Sequence, residues 1–192
     1  MLAACDKYHR KKSDATSRQK WMTVFIINNI YQFCYQKLST HMLSSTTNKL
    51  QVWLDCDPGL DDIMAIILTA WDERISLIGV STSPGNSSLG NTSRNACDVL
   101  HSIGRGDVEV VMGSPKPFCS SGIYSDNIHG ENGIGGLELP PAPRKPINED
   151  RFSEIYKRIM RVTGKVCFIN TGSLTNLAIL LASHPDLKEK LE

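Results

Sequence analysis

Apolar and polar positions follow two different periods along the chain from Gln51 onward. Short runs of consecutive apolar residues, typical of buried strands, alternate with stretches in which apolar residues recur every three or four positions, as in helices. The predicted strands are 52–54, 77–81, 108–112 and 166–170, and the predicted helices are 60–70, 91–103, 151–162 and 174–182. Because strands and helices alternate over short turns, the sequence predicts an α/β fold with an open, mostly parallel sheet flanked by helices.

Residues 1–50 lack this alternation. They contain a basic opening, an apolar stretch over 21–35 and a polar run rich in serine and threonine. Polar residues interrupt the apolar stretch, which is shorter than the ~20 residues that a membrane-spanning helix needs. We therefore interpret residues 1–50 as a poorly structured or mis-assigned extension, with Met42 as a natural start and mitochondrial targeting as the alternative. The α/β domain then comprises residues 51–192.

The charge balance and the cysteines limit the class of protein. Lysine and arginine number 21 against 20 aspartates and glutamates, which gives a formal net charge of +1. This balance provides no general attraction to nucleic acid or to a membrane, and it suits a small neutral substrate. The six cysteines form no CxxC pair, so neither a zinc cage nor a disulfide-stapled scaffold is expected. We expect a cytoplasmic protein with reduced thiols.

Polar side chains follow three of the four predicted strands. Ligands of open parallel sheets bind outside the carboxyl ends of the strands, so these side chains are expected to meet at one edge of the sheet. They are Asp55, Asp57, Asp61 and Asp62 after the first strand, residues 84–86 after the second and residues 171–173 after the fourth.

Four carboxylates within eight residues would repel one another in a shared dry cleft. Helix capping accounts for one or two of them, and a bound divalent cation is the simplest compensation for the rest. Ligands that are all oxygen favour Ca²⁺ or Mg²⁺ over zinc or copper. An EF-hand is excluded because Leu60 and Ile66 occupy the positions where that loop needs glycine and glutamate.

The run from Asp55 to Asp62 resembles the opening signature of the calcium-dependent nucleoside hydrolases, Asp-x-Asp-Pro-Gly-x-Asp-Asp. Three further segments resemble that family in the same order, at 79–96, 128–136 and 170–176. Enzymes of the family cleave the N-glycosidic bond of ribonucleosides in nucleoside salvage and catabolism. The resemblance extends over 52–192, and it implies the amino-terminal half of a family member and hence a truncated sheet.

The resemblance also implies a role for individual residues. Asp57 and Asp62 match side-chain ligands of Ca²⁺, the implied cofactor. Thr171 matches a residue that offers the metal its backbone carbonyl. Asp57 additionally matches the carboxylate that takes a proton from the attacking water, which makes it the expected catalytic base.

Four more residues match positions around the substrate. Asp61 matches the residue that holds the ribose 2′-hydroxyl, and Asn86 and Asp55 match groups that position the attacking water and the carboxylates. His129 lies in a loop that approaches the site in the family, which implies a substrate-side or gating role. The implied partner is a small ribonucleoside, and full-length family members are expected to form homo-oligomers.

Two expectations concern what the chain lacks. The carboxy-terminal half of the family, which supplies further metal, ribose and base contacts, has no match here, so we expect little or no nucleosidase activity from this polypeptide. We also expect an unpaired strand edge where the sheet stops.

The glycine-rich stretch 130–136 is expected to be a flexible lid.

Two other functions stay open on the sequence. One is a pseudoenzyme or a ribose- and metal-binding module that retains only part of the pocket. The other is a phosphatase of the haloacid dehalogenase type, which also begins with two aspartates after a strand. Gly59 and the tandem Asp61-Asp62 fit the phosphatase poorly.

Overall fold

The computed structural model describes residues 49–118 and 128–192, so the predicted extension lies almost entirely outside the described residues. All of the predicted strands and helices are present, with boundaries within about two residues of those expected. The strands are β1 (Leu50–Cys56), β2 (Ile75–Thr82), β3 (Val110–Met112) and β4 (Cys167–Asn170). The helices are α1 (Leu60–Trp71), α2 (Leu89–Ser102), α3 (Arg151–Arg161) and α4 (Thr175–Ser183), followed by a 3₁₀ turn over Pro185–Glu189.

The strands form one four-stranded sheet in the order β3-β2-β1-β4, and every neighbouring pair is parallel. The predicted α/β fold with an open parallel sheet is therefore confirmed. β1 lies in the interior of the sheet, where Asp55 is level with Ser81 of β2 and Asn170 of β4. The carboxyl end of β1 is consequently flanked by the ends of both neighbours.

Each margin of the sheet carries one additional isolated bridge. Ile147 pairs with Val111 beside β3, and Leu191 pairs with Val166 just before β4 begins. Within the described ranges β4 itself has no other outer neighbour, so the expected unpaired edge is present.

The side chains of β1 alternate between two hydrophobic layers. Val52 and Leu54 pack into the layer formed with α1 and α2, whereas Trp53 packs into the layer formed with α3 and α4. All three side chains are fully buried. Burial on both faces explains why this strand is a continuous apolar run rather than an alternating one.

A glycine in β2 makes room for the largest of these side chains. A Cβ placed on Gly79 would lie 2.7 Å from Trp53 Cη2, well inside van der Waals contact. We predict that Gly79→Ala lowers the free energy of unfolding by about 1–3 kcal/mol, because the indole must move within a packed core. Urea unfolding measures this loss.

Gly90 provides the matched control for that substitution. It lies in the first turn of α2, where the nearest atom to an added Cβ is 4.0 Å away. Gly90→Ala should leave stability unchanged or raise it by up to about 1 kcal/mol. Equal effects of the two substitutions would contradict the packing argument.

No helix within 49–118 or 128–192 has the length and apolar character to cross a bilayer. The apolar stretch 21–35 lies outside the described residues.

Candidate metal and substrate site

The acidic run occupies the turn from β1 into α1. Asp62 reaches back across this turn, and its Oδ2 accepts a hydrogen bond from the Gly59 backbone N–H at 3.0 Å. Asp62 therefore caps the amino terminus of α1, as a carboxylate at this position commonly does. Capping accounts for one of the four acids, and the other three need a different explanation.

Asn86 brings the end of β2 against this turn. Its side-chain amide donates to the Asp57 carbonyl at 2.9 Å and to Asp62 Oδ2 at 3.2 Å. Its backbone N–H donates to Asp57 Oδ2 at 3.1 Å. One residue thus fixes the positions of two carboxylates.

Thr171 brings the end of β4 against the same turn. Its hydroxyl donates to Asp62 Oδ1 at 2.5 Å, and its backbone N–H donates to the Asp55 carbonyl at 2.9 Å. The predicted convergence of the ends of β1, β2 and β4 is therefore confirmed. The roles assigned to these residues remain predictions.

Two glycines enclose the Asp57 side chain. A Cβ on Gly172 would lie 2.9 Å from Asp57 Oδ1, and a Cβ on Gly85 would overlap Asp57 Oδ2. Any larger residue at either position would displace the carboxylate. The glycines in the turns after β2 and β4 therefore leave space for this acid.

The carboxylates are held in an environment that opposes their ionisation. Burial, and then the charge of Asp62, raise the pKa of Asp57 to about 6. Burial also raises the pKa of Asp62, although its hydrogen bonds from Thr171 and Gly59 act against this. Within the described ranges no lysine or arginine forms an ion pair with either side chain. A divalent cation would supply the missing positive charge.

The donor atoms fit a hard cation but form an incomplete set. They are carboxylate, carbonyl and hydroxyl oxygens, which Ca²⁺ and Mg²⁺ prefer. In the part of the chain that the structure describes, no three His, Cys, Asp or Glu side chains converge on one point. Calcium takes six to eight oxygens, so Asp57, Asp62 and Thr171 would need additional ligands from water, substrate or protein.

Asp55 is fully buried, and the side-chain hydrogen bonds of its carboxylate run to β2, β4 and α4 rather than to the acidic turn. It accepts hydrogen bonds from the side-chain amides of Asn170 at 2.7 Å and Asn176 at 2.8 Å, and from the Ser81 hydroxyl. Burial raises the pKa of Asp55 to about 7 despite these three donors. This location agrees with the predicted supporting role.

The three donors to Asp55 were not predicted from the sequence. Ser81 and Asn170 are polar residues in β2 and β4 directly beside Asp55, and that pairing is a signal that a strand alignment could provide. Asn176 lies in α4, where its amide also donates to the Thr82 carbonyl at 3.1 Å. No sequence spacing indicates that contact.

His129 lies beside the start of α1, and its role toward the substrate remains a prediction. Its Nδ1 accepts a hydrogen bond from the Leu60 backbone N–H at 3.4 Å, and its Nε2 is 4.0 Å from Asp61 Oδ1. The Asp61 side chain is 81% exposed, whereas the histidine side chain is 15% exposed. Asp61 is thus the most accessible acid of the run.

The glycine-rich stretch 130–136 is hydrogen-bonded to α2 and to the residues before it, and its role as a flexible lid remains a prediction. Its carbonyls accept hydrogen bonds from Ser87 Oγ at 2.9 Å and Asn95 Nδ2 at 2.8 Å. Ile134 is buried in the hydrophobic core. Glycines serve this segment by permitting positive φ angles, as at Gly133 (φ 81°), in a tightly folded turn.

Comparison with known proteins gives a consistent result. The family model described as inosine-uridine preferring nucleoside hydrolase matches residues 52–192. A pyrimidine-specific ribonucleoside hydrolase of Shewanella woodyi is 40% identical over 139 residues, which cover 72% of this chain and 45% of that protein. A uridine nucleosidase of Saccharomyces cerevisiae is 35% identical over 150 residues, covering 77% of this chain and 44% of that protein.

Solved structures show the same relationship. A plant nucleoside hydrolase superposes with a TM-score of 0.69 at 27% identity, covering 75% of this chain and 46% of the plant chain. A purine-preferring ribonucleoside hydrolase from Gardnerella vaginalis has a TM-score of 0.68 at 31% identity, covering 73% and 46%. The chain spans less than half the length of the relatives that it matches.

Proposed function

Because the chain belongs to the inosine-uridine preferring nucleoside hydrolase family, we propose that its acidic turn is part of a site that hydrolyses the N-glycosidic bond of ribonucleosides to ribose and free base. The contacts of Asn86 with both Asp57 and Asp62 carry this proposal. They hold two acids of the family's opening signature at the edge of the sheet where ligands of this fold class bind.

We propose Ca²⁺ as the cofactor, held by the side chains of Asp57 and Asp62 and by the Thr171 carbonyl. Bound there, a divalent cation would lower the pKa of a coordinated water and hold the ribose diol. Asp57 Oδ2 is fixed by the Asn86 backbone N–H. This bond supports the proposal that the Asp57 carboxylate accepts a proton from an attacking water.

Asp61 is proposed to hold the ribose 2′-hydroxyl. It lies at the amino terminus of α1 with its carboxylate exposed, next to the largely buried ring of His129. Cleavage of a glycosidic bond builds positive charge on the sugar, and a nearby carboxylate stabilises that transition state electrostatically. His129 is proposed to lie on the substrate side, where its Nε2 faces Asp61.

Asp61→Asn tests the proposed ribose contact. We expect ribonucleoside to bind about 10-fold more weakly, with Ca²⁺ affinity within about twofold of wild type, because a charged hydrogen bond contributes roughly 1.5–3 kcal/mol. Calorimetric titration with Ca²⁺ and then uridine measures both. Glu138→Gln, at an exposed acid, is the control and should change neither. Equal loss of Ca²⁺ and uridine binding would assign Asp61 to the metal instead.

Release of free base from uridine and inosine tests the reaction itself. The purified 192-residue chain is expected to turn over weakly or not at all, because it spans under half of its relatives' length. A protein extended by the carboxy-terminal portion of a relative should release base. Base release that Asp57→Ala leaves intact would refute the proposed site.

A binding module without turnover is the second candidate, because the two acids that Asn86 holds together could bind a cation without further catalytic groups. Binding of Ca²⁺ and ribose without base release, even in the extended protein, would establish that function. The phosphatase alternative is disfavoured because Asp55, its required nucleophile, is fully buried and holds three hydrogen bonds. Phosphate release from a phosphoester, lost in Asp55→Asn, would restore it.

A further inference from the structure

Asn95 is a buried polar residue of α2 that connects two parts of the candidate site. Its side-chain amide donates to the Asn132 carbonyl of the glycine-rich stretch 130–136 at 2.8 Å. The same nitrogen lies 3.5 Å from the Pro58 carbonyl oxygen, at the outer limit for a hydrogen bond. Pro58 lies in the acidic turn, directly after Asp57. One side chain of α2 thus contacts both the acidic turn and the glycine-rich stretch.

Gly133 shows how closely these parts pack together. A Cβ placed on Gly133 would lie 2.9 Å from Ser87 Cβ, 3.4 Å from Asn95 Nδ2 and 3.5 Å from the Pro58 carbonyl oxygen. The glycine-rich stretch therefore lies directly against the turn after β2, against α2 and against the acidic turn. A side chain at Gly133 would push the stretch away from all three.

Hydrogen bonds within the glycine-rich stretch link this anchor to His129. The side-chain carbonyl of Asn132 accepts from the backbone N–H of Ile134 at 3.1 Å and of Gly136 at 2.9 Å. Between these two residues, the Gly135 N–H donates to the His129 carbonyl at 2.6 Å. The position of Asn132 consequently helps to determine the position of His129.

The His129 ring contacts the other end of the acidic turn. Its Nδ1 accepts from the Leu60 backbone N–H at 3.4 Å, and its Nε2 lies 4.0 Å from Asp61 Oδ1. The Leu60 N–H is in the first turn of α1, where backbone donors find no acceptor within their own helix. A displacement of His129 would therefore expose this N–H to water and change the distance between Nε2 and Asp61.

We propose that Asn95 is a positioning residue, which holds His129 on the substrate side of the site by fixing the Asn132 carbonyl. This inference rests on the proposed function, since it assumes that His129 and Asp61 face the ribonucleoside. The two acceptors that Asn95 contacts are the carbonyls of Pro58 and Asn132, and neither residue is a proposed metal ligand. Substrate binding should therefore depend on Asn95 more strongly than Ca²⁺ binding does.

Asn95→Ala should weaken uridine binding to the Ca²⁺-loaded protein about 5- to 10-fold, with Ca²⁺ affinity within about twofold of wild type. Calorimetric titration with Ca²⁺ and then uridine measures both. In the metal-free protein the Leu60 amide hydrogen should exchange about 5-fold faster, which NMR measures. Ser93→Ala is the matched control, because it removes a buried hydroxyl of α2 whose partners, Thr82 and Leu89, lie in β2 and α2. It should change neither uridine affinity nor Leu60 exchange.

Gly133→Ala tests the same contact from the opposite side, without a change in α2. The added methyl group should displace the glycine-rich stretch, so uridine binding should weaken and Leu60 exchange should quicken as in Asn95→Ala. Gly136→Ala is the matched control. Gly136 has a similar φ, 74° against 81°, but no atom of the described residues lies within 4 Å of an added Cβ. It imposes similar backbone strain and should have a smaller effect on both measurements.

A double-mutant cycle separates positioning from a general loss of structure. If Asn95 acts through His129, adding Asn95→Ala to His129→Ala should weaken uridine binding by less than about twofold further. Additive losses would overturn the inference, as would uridine affinity and Leu60 exchange in Asn95→Ala equal to those of wild type. Failure of the wild-type protein to bind uridine would instead refute the proposed function, and Leu60 exchange would still report whether Asn95 positions His129.

Discussion

Asp57→Ala should abolish detectable Ca²⁺ binding while leaving the protein folded. Asp57 is the only acid of the cleft that is fixed by Asn86 through both its backbone carbonyl and its carboxylate. Loss of a ligand from a set that is already incomplete should reduce affinity by 100-fold or more, on the order of 3 kcal/mol. Calorimetric titration measures the affinity, and the shift of thermal unfolding on adding Ca²⁺ measures it independently.

The stability of the metal-free variant supplies the control. Burial and Asp62 raise the pKa of Asp57 to about 6, so its ionised form is disfavoured in the folded protein. Because this pKa is raised, the free energy of unfolding of the wild type should fall as pH rises from about 4 to 6. Asp57→Ala has no such carboxyl and should not show this fall. At pH 7 without metal, Asp57→Ala should therefore be at least as stable as wild type. A variant that binds Ca²⁺ normally, or that fails to fold, would contradict this account.

The strands and helices were predictable because the apolar positions of each follow one dominant spacing. α1 is apolar nearly all round, but only one side of it packs into the core with the sheet and α2, whereas Leu60, Met64 and Leu68 are exposed. β1 is a short apolar run, and it is buried by helices on both faces. The boundaries that moved most are those of β1, which extends to Cys56. Asp55 and Cys56 are part of the strand because β2 and β4 continue beside them.

The convergence of the site was predictable for a topological reason. All strands are parallel, so their carboxyl ends share one edge, and polar residues at those ends necessarily meet. Asn86 and Thr171 were found in this way. Parallel strands predict the edge of the sheet but not the direction of each side chain. Asp55 was therefore placed with the other acids, although its carboxylate bonds to Ser81, Asn170 and Asn176 instead.

The features that the sequence could not provide depend on long-range contacts. Asn176 in α4 reaches Asp55 across 121 positions, and no local pattern encodes that distance. The glycine-rich stretch 130–136 indicated mobility by composition. Its anchors, Ser87 and Asn95, come from an earlier part of the chain. The amino-acid composition of this stretch does not show which residues distant in the sequence form hydrogen bonds with it.

Asp55→Ala should cause the largest loss of stability, and the loss should depend on pH. The substitution leaves a cavity and removes the acceptor for Asn170, Asn176 and Ser81, which should cost about 3–5 kcal/mol near pH 4. Burial raises the pKa of Asp55 to about 7 from an ordinary value of 3.8. Metal-free wild type should therefore lose stability as pH rises from about 4 to 7, and the variant should lose less. Urea unfolding at pH 4.5 and pH 7.5 measures the difference between them, which should narrow at the higher pH.

Leu54→Ala separates the pH-dependent part of the stability loss in Asp55→Ala from the part that is due to lost packing. Leu54 precedes Asp55 in β1 and is also fully buried, but it has no titratable group. Its replacement should cost about 2–5 kcal/mol at both pH values. If the Asp55→Ala deficit were likewise constant between pH 4.5 and pH 7.5, the buried carboxyl would be ionised as easily as in water. Its three hydrogen-bond donors would then offset the effect of burial on the pKa, and Asp55 would carry a negative charge throughout this pH range.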